Sequence, residues 1–144
     1  LTSSSLTMTD VVARSPKSAV AFAGDVSHSP AAVTRCDFTV SGGGRHVLSW
    51  AGAVTHSPVT VASSRLHSTA VALTNGIDFA LGVSDSAVSV SNLIAATNVG
   101  VNFDTAVVRS ALAITDAVVK STAFHAMAGG TDSDVTVATS VLKR

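Results

Sequence analysis

Arg65, His67 and Thr69 occupy every second position of a segment that reads as a β-strand. Alternate side chains of a strand point to the same face, so we predict that these three side chains lie together. A guanidinium, an imidazole and a hydroxyl on one face could contact a polyanion. A solvated sheet face, which needs no ligand, shows the same alternation. The sequence therefore leaves both interpretations open.

No residue spacing in this sequence indicates a metal centre or a catalytic site. The histidines form no His-x-His or His-Glu-x-x-His pair, and they are His28, His46, His56, His67 and His125. A Gly-x-Ser-x-Gly elbow is absent, and Gly42–Gly44 lead into a β-like run without the lysine of a phosphate loop. Asp132 and Asp134 supply too few oxygens for calcium. We therefore predict that the chain is not an enzyme and uses no cofactor or metal.

The composition indicates a surface with little charge. The chain has 144 residues, of which 47% are apolar and 12% charged, about half the charge of an ordinary soluble domain. This bias is typical of a subunit covered by copies of itself, although a fold preference for small side chains would produce it too. Net charge is zero, so any nucleic-acid contact must be local. The single Cys36 excludes an intramolecular disulfide, and no signal peptide or membrane span is predicted.

Residues 104–127 form the one long segment whose apolar side chains recur at helical spacing. A stripe at Val107, Ala111, Ile114 and Val118 is widened by Val108, Leu112 and Val119. Asp104 is a suitable N-cap, Phe103 and Val108 suit a hydrophobic staple, and Gly129 with Gly130 supplies a stop. We therefore predict an amphipathic C-terminal helix over residues 104–127.

The preceding residues predict antiparallel strands. We expect an N-terminal hairpin or arm over 1–25, an antiparallel sheet over 34–92 and a tail at 131–144 that is an added strand or an arm. Gly42–Gly44 and the Asn75-Gly76 pair are predicted hairpin turns. The near copies VSHSP (residues 26–30) and VTHSP (54–58) are interpreted as turns, because Ser and Pro are turn formers. Only these few residues recur and their spacing is irregular, so no repeat architecture is predicted. The predicted fold class is α+β in a single domain over 1–144.

The order of these segments resembles that of the coat proteins of single-stranded RNA phages of the levivirus type. The resemblance covers roughly residues 6–127 and rests on LTMTD, RCDFTVS, RHVLSW, RLHSTAVAL and AVSVSN, then Asn-x-Asp and the helix DTAVVRSALAITDAVV. It implies an intertwined homodimer with one continuous antiparallel sheet and helices that cross over the partner. Such dimers assemble into an icosahedral capsid whose inner sheet surface holds single-stranded RNA.

The resemblance implies a role for three groups of residues. The RNA-binding group is Arg45, Arg65, His67, Thr69 and Ser89. The dimer and helix-packing group is Val108, Leu112, Val118 and Val119. Phe79 and Leu81 are predicted to be exposed in a flexible loop over 75–85 that joins neighbouring dimers. The chain would then be a structural protein of the virion, with copies of itself and RNA as partners and no membrane.

Two other structural classes remain open on the sequence alone. An extracellular filament or pilin-like subunit would also be rich in Ala, Val, Ser and Thr, and its terminal arms could join the next copy by strand addition. A small binding module of the β-sandwich type is the third interpretation. The predicted helix argues against both.

Overall fold

The computed structural model describes residues 1–69, 74–119, 122–126, 130–138 and 141–142. Within these residues the chain is all β and winds into a parallel solenoid of about five coils, each built from four short strands. The strands of the first coil are β1 (Leu6–Thr9), β2 (Val12–Ser15), β3 (Val20–Phe22) and β4 (Val26–Ser27). Those of the second are β5 (Ala31–Thr34), β6 (Asp37–Val40), β7 (His46–Trp50) and β8 (Val54–Thr55).

The later coils repeat this order. The third contains β9 (Val59–Ala62), β10 (Arg65–Ser68), β11 (Asn75–Phe79) and β12 (Val83–Ser84). The fourth contains β13 (Ala87–Ser91), β14 (Ile94–Ala96), β15 (Val99–Phe103) and β16 (Val107–Val108). The fifth contains β17 (Ala111–Thr115), β18 (Val118–Val119), β19 (Thr122–Ala126) and β20 (Gly130–Thr131), and β21 (Asp134–Ala138) with β22 (Val141–Leu142) begins a sixth.

Each strand pairs in parallel with its counterpart in the next coil, which gives four sheets along the solenoid. Sheet 1 has the order β1-β5-β9-β13-β17-β21, and sheet 2 has β2-β6-β10-β14-β18-β22. Sheet 3 is β19-β15-β11-β7-β3 and sheet 4 is β20-β16-β12-β8-β4. The step between paired residues in sheet 1 varies from 23 residues (Leu112 to Val135) to 29 residues (Val59 to Val88). The predicted α+β class with an antiparallel sheet is therefore wrong.

The predicted helix over 104–127 is wrong, because this segment forms β16, β17, β18 and β19. Its buried side chains Val107, Leu112, Ile114 and Val119 all belong to the core of the solenoid. Alternate residues of each strand point inward, and tight corners at Arg109 (φ 45°) and Asp116 (φ 53°) interrupt this alternation. The resulting spacing of the buried side chains imitates a 3.6-residue period. Asp104 caps no helix, and its carboxylate instead accepts a hydrogen bond from Asn102 Nδ2 at 2.7 Å.

The predicted hairpins are also wrong. Strands β1 and β2 of the expected N-terminal hairpin pair with β5 and β6 rather than with each other. Gly42–Gly44 connect two different sheets, and Asn75 with Gly76 begins β11. The near copies VSHSP and VTHSP mark the same corner of successive coils, with Val26 paired to Val54, so the chain does have a repeat architecture. The tail is an added strand, since β21 pairs with β17.

A ladder of serines fixes the corner between sheet 4 and sheet 1. At this corner His28 and His56 have positive φ, and a buried serine follows each of them. The amide of Ser29 donates to Ser57 Oγ and that of Ser57 to Ser86 Oγ, each at 2.9 Å. Each hydroxyl also donates to the carbonyl two residues earlier, which satisfies buried polar groups from coil to coil.

The core contains a column of aromatic rings, one from each coil. Its members are Phe22, Trp50, Phe79, Phe103 and Phe124, with successive ring centroids 4.8–5.8 Å apart. Trp50, Phe79 and Phe103 are fully buried within it. The expectation that Phe79 is exposed in a loop is therefore wrong, whereas Leu81 is 61% exposed.

Candidate binding surface

One corner of the solenoid accounts for most of the variation in coil length. The connections from sheet 2 to sheet 3 cover residues 16–19 in the first coil and 41–45 in the second, but only 97–98 in the fourth. By contrast, the connections from sheet 1 to sheet 2 always have two residues, from 10–11 to 116–117. We call the sheet 2 to sheet 3 connection the variable corner. Loops placed on a regular scaffold are where binding residues concentrate.

Basic side chains lie on the outer surface of sheet 2 beside this corner. Arg65 and His67 alternate along β10, as predicted, and both are exposed. The register aligns Arg14 of β2 with Thr39 of β6 and then with His67. Adjacent strands are about 4.8 Å apart, so the Cα atoms of Arg14 and His67 are roughly 10 Å apart. We call Arg14, Arg65, His67 and the neighbouring Asp37 and Thr39 the cationic face; its residues line a cavity of about 220 Å³.

Two other arginines that the structure describes, Arg35 and Arg109, are neutralised by ion pairs. Arg35 binds Asp10 through two hydrogen bonds of 2.8 Å, and Arg109 binds Asp85 through bonds of 2.7 and 2.6 Å. These contacts lower the pKa of Asp10 and of Asp85. Among the described lysines and arginines, those without an ion pair are Arg14, Lys17, Arg45 and Arg65. All four lie on the cationic face or at the variable corner.

The predicted RNA-binding group is only partly brought together. Arg65 and His67 share the cationic face, Thr69 follows β10 and is exposed, and Arg45 lies in the variable corner. Ser89 lies on the outer surface of sheet 1, a different side of the solenoid. Sequence analysis missed Arg14, because its place beside His67 follows from the register between coils and from no local pattern.

The predicted helix-packing residues do not share a helix face. Leu112 and Val119 are in the core, whereas Val108 and Val118 are half-buried. Leu112 stands on β17 between paired residues Val88 and Val135 of the adjacent coils. These side chains therefore stabilise one chain, and the helix crossover that assigned them to a dimer contact is absent from the described residues.

A polar network on sheet 3 adjoins the variable corner. The Asp78 side chain is 1% exposed, and its Oδ1 accepts hydrogen bonds from Asn75 Nδ2 at 2.9 Å and Asn102 Nδ2 at 2.8 Å. His46 Nδ1 lies 3.3 Å from Asp78 Oδ2, and His125 Nδ1 lies 2.8 Å from Asn102 Oδ1. These residues come from four different coils. No sequence spacing could indicate the network, because its members meet only through the register.

The network determines how Asp78 titrates. Burial by itself raises the pKa of this carboxyl, but the hydrogen bonds from His46, Asn102 and Asn75 and the charge of His46 outweigh burial and lower the pKa below its usual 3.8. A carboxyl with a lower pKa in the folded state stabilises the fold above its unfolded pKa, and this stabilisation is lost as the pH falls through the folded pKa.

We expect Asp78→Asn to reduce the acid sensitivity of the protein. The wild-type melting temperature should fall more steeply than that of the variant as the pH is lowered from about 5 through the unfolded carboxyl pKa of about 3.9. Ser49→Ala, a change at the non-titrating position paired with Asp78, is the control. Thermal melts monitored by circular dichroism would measure the melting temperature at each pH. The same pH dependence in wild type and Asp78→Asn would contradict the lowered pKa of Asp78.

Comparison with known proteins adds no further information about the site. No protein-family model matches the chain, and neither curated proteins nor solved structures give a match. Within the described residues, no group of three or more His, Cys or Asp side chains is placed to hold a metal ion. The described part of the chain also has no helix of the length and hydropathy needed to cross a membrane. The function is therefore inferred from the geometry and charge of the described residues.

Proposed function

We propose that this chain is a β-solenoid binding module that holds an extended anionic polymer along the cationic face and the variable corner. One observation carries the proposal: the described lysine and arginine side chains without an ion pair, Arg14, Lys17, Arg45 and Arg65, all lie there. Because the net charge of the chain is zero, attraction for an anion must come from such a local concentration.

The solenoid supports this role because it fixes the spacing of the charges. Arg14 and His67 belong to one column of outward side chains, and Arg65 belongs to the adjacent column on β10. Their backbone positions are set by parallel pairing in sheet 2, so little backbone ordering is required on binding. A linear polymer that runs across the strands would meet a guanidinium at the first coil and a guanidinium with an imidazole at the third, with Asp37 and Thr39 of the second coil between them.

An acidic polysaccharide fits this surface better than single-stranded RNA does. Proteins that bind single-stranded RNA stack bases on exposed aromatic rings. The described aromatic rings belong to the core or pack against it, and the sequence has no tyrosine. Sulfate and carboxylate groups need only charged hydrogen-bond donors, and the planar guanidinium of arginine suits them well. We therefore favour a sulfated or uronate-containing glycan, with RNA as the competing outcome of the test.

We expect the double variant Arg14→Ala/Arg65→Ala to bind heparin about tenfold more weakly than wild type, since two surface charge contacts of below ~1 kcal/mol each are lost. Arg35→Ala/Arg109→Ala removes the same charge from exposed, ion-paired positions and serves as the matched control. Isothermal titration calorimetry at two salt concentrations would measure the affinities.

Three results would contradict this proposal. The first is an equal loss in both double variants, which would indicate an effect of net charge alone. The second is the absence of binding to heparin in the wild-type protein. The third is tighter binding of poly(U) than of heparin, with a salt slope of about 0.7 per contact, which would favour the RNA predicted from the phage resemblance.

The coat-protein hypothesis, with its homodimer, icosahedral shell and virion location, stays a prediction. The helix and the antiparallel sheet on which it was argued are absent from the described residues. The filament alternative does not require either element, since strand addition needs only an accessible sheet edge. Electron microscopy of the purified chain distinguishes the three cases by closed shells, fibres or separate rods.

A further inference from the structure

A cavity of about 510 Å³ lies at the variable corner, between the loop at residues 16–18 and the loop at residues 42–46. Among the described residues that line it, the charged or titratable side chains are Lys17, Arg45 and His46, and none is a carboxylate. Lys17 and Arg45 make no ion pair with any described residue. The cavity is therefore positively charged on the sides formed by both loops.

Glycines allow the two loops to approach each other closely. A Cβ atom on Gly42 would overlap the backbone of Pro16, and one on Gly44 would overlap the backbone of Lys17. The amides of Gly42, Gly43 and Gly44 donate no hydrogen bond to any part of the chain that the structure describes. The same three glycines line the cavity, together with Lys17 and Arg45.

The far side of the cavity is held in place by the polar network. The Arg45 carbonyl accepts a hydrogen bond from the Asn75 amide at 2.7 Å, which anchors the end of the glycine loop. His46 Nδ1 lies 3.3 Å from the buried carboxylate of Asp78, and the imidazole is 27% exposed. The ring is thereby oriented, and its Nε2 has no hydrogen-bond partner among the described residues.

We propose that this cavity, the corner pocket, binds a single oxyanion group through Arg45, Lys17 and the amides of Gly42–Gly44. Backbone amides together with lysine and arginine are the donors that recognise sulfate, phosphate and carboxylate. The glycine loop leads into β7 rather than into a helix, so it lacks the helix N-terminus on which nucleotide phosphate loops depend. The pocket therefore suits one tetrahedral or planar anion at the end of, or along, a larger ligand.

This inference rests on the proposed function in one respect, because the oxyanion would be a sulfate or carboxylate of the bound polymer. A test with small anions distinguishes anion binding in the corner pocket from polymer binding along the cationic face. Nuclear magnetic resonance of the ¹⁵N-labelled chain would follow backbone amides during titration with sodium sulfate, sodium phosphate or sodium glucuronate at constant ionic strength. We expect saturable shifts of the Gly42, Gly43 and Gly44 amides. The anion that binds most tightly shows whether the pocket prefers a sulfate, a phosphate or a carboxylate group.

Variants locate the binding to the pocket. Arg45→Ala should weaken the titrated affinity at least about tenfold, and Lys17→Ala provides a second variant on the opposite loop. Arg35→Ala, which changes an exposed and ion-paired arginine that does not line the pocket, is the matched control and should leave the small-anion affinity unchanged. Amide shifts that do not saturate would overturn the proposed anion binding in the pocket. Equal anion affinities for wild type and Arg45→Ala would overturn it as well.

Failure of the pocket and failure of the polymer proposal give different patterns. If sulfate binding depends on Arg45 but heparin affinity does not change in Arg14→Ala/Arg65→Ala, the pocket stands and the cationic face is wrong. If heparin binding requires Arg14 and Arg65 while the glycine amides do not respond to any small anion, the polymer proposal stands and the pocket is overturned.

Discussion

Replacing Phe79 by alanine should lower the free energy of unfolding by about 3–5 kcal/mol, whereas Leu81→Ala should change it by less than about 0.5 kcal/mol. Phe79 is fully buried between the rings of Trp50 and Phe103, with centroid distances of 5.0 and 4.8 Å. Its truncation removes packing on both sides and leaves a cavity in the middle coil. Leu81 lies two residues further along the chain and is 61% exposed.

Urea denaturation followed by tryptophan fluorescence would measure both variants, since Trp50 reports directly on the ring column. A control for the size of the substitution is Phe79→Leu, which keeps part of the buried volume and should fall between wild type and Phe79→Ala. Equal stabilities for Phe79→Ala and Leu81→Ala would contradict the burial of Phe79 and would restore the exposed-loop interpretation of residues 75–85.

We expect substitution of Leu112 by aspartate to prevent folding of the fifth coil, and Ala113→Asp to leave the chain folded. Leu112 points into the core and is 2% exposed, so an aspartate there would be a buried carboxylate without a partner, which costs several kcal/mol. Ala113 is the next residue of β17 and lies on the outer surface of sheet 1. The two positions carry the same chemical change within one strand.

This pair also distinguishes a strand from a helix. In a strand, adjacent residues point to opposite faces, whereas in a helix positions 112 and 113 would be separated by only about 100°. Circular dichroism, thermal melting and amide hydrogen exchange of the fifth coil would measure the outcome. Comparable tolerance of aspartate at both positions, with strong helical signal in wild type, would contradict the solenoid in this segment.

Alternation in the sequence correctly indicated which side chains face inward. Phe38 and Val40 are buried while Asp37 is exposed, and Val88 and Val90 are buried on either side of the exposed Ser89. A period of two follows directly from strand geometry, so local sequence is enough to predict it. The orientation of Arg65 and His67 on one face was predicted for the same reason, and their role in binding stays a prediction.

The pairing between strands could not be predicted in this way. Partners stand 23 to 29 residues apart, as Leu112 to Val135 and Val59 to Val88 show, and this uneven step conceals the repeat. The corners are concealed as well, because residues such as Arg35 (φ 53°) and Asp116 (φ 53°) adopt the left-handed conformation that usually indicates glycine. When these corners are not recognised, residues 104–127 appear to form one continuous element, and the spacing of their apolar side chains then fits a helix.

The variable corner allows the length of a connection to change without altering the pairing of the strands. Each coil contacts only its neighbours, so residues added between sheet 2 and sheet 3 leave the serine ladder and the aromatic column in register. The connections at 16–19 and 41–45 in the first two coils are longer than the two-residue connection at 97–98 in the fourth. That short connection is a position at which a designed loop could be inserted while the strands of the neighbouring coils stay paired.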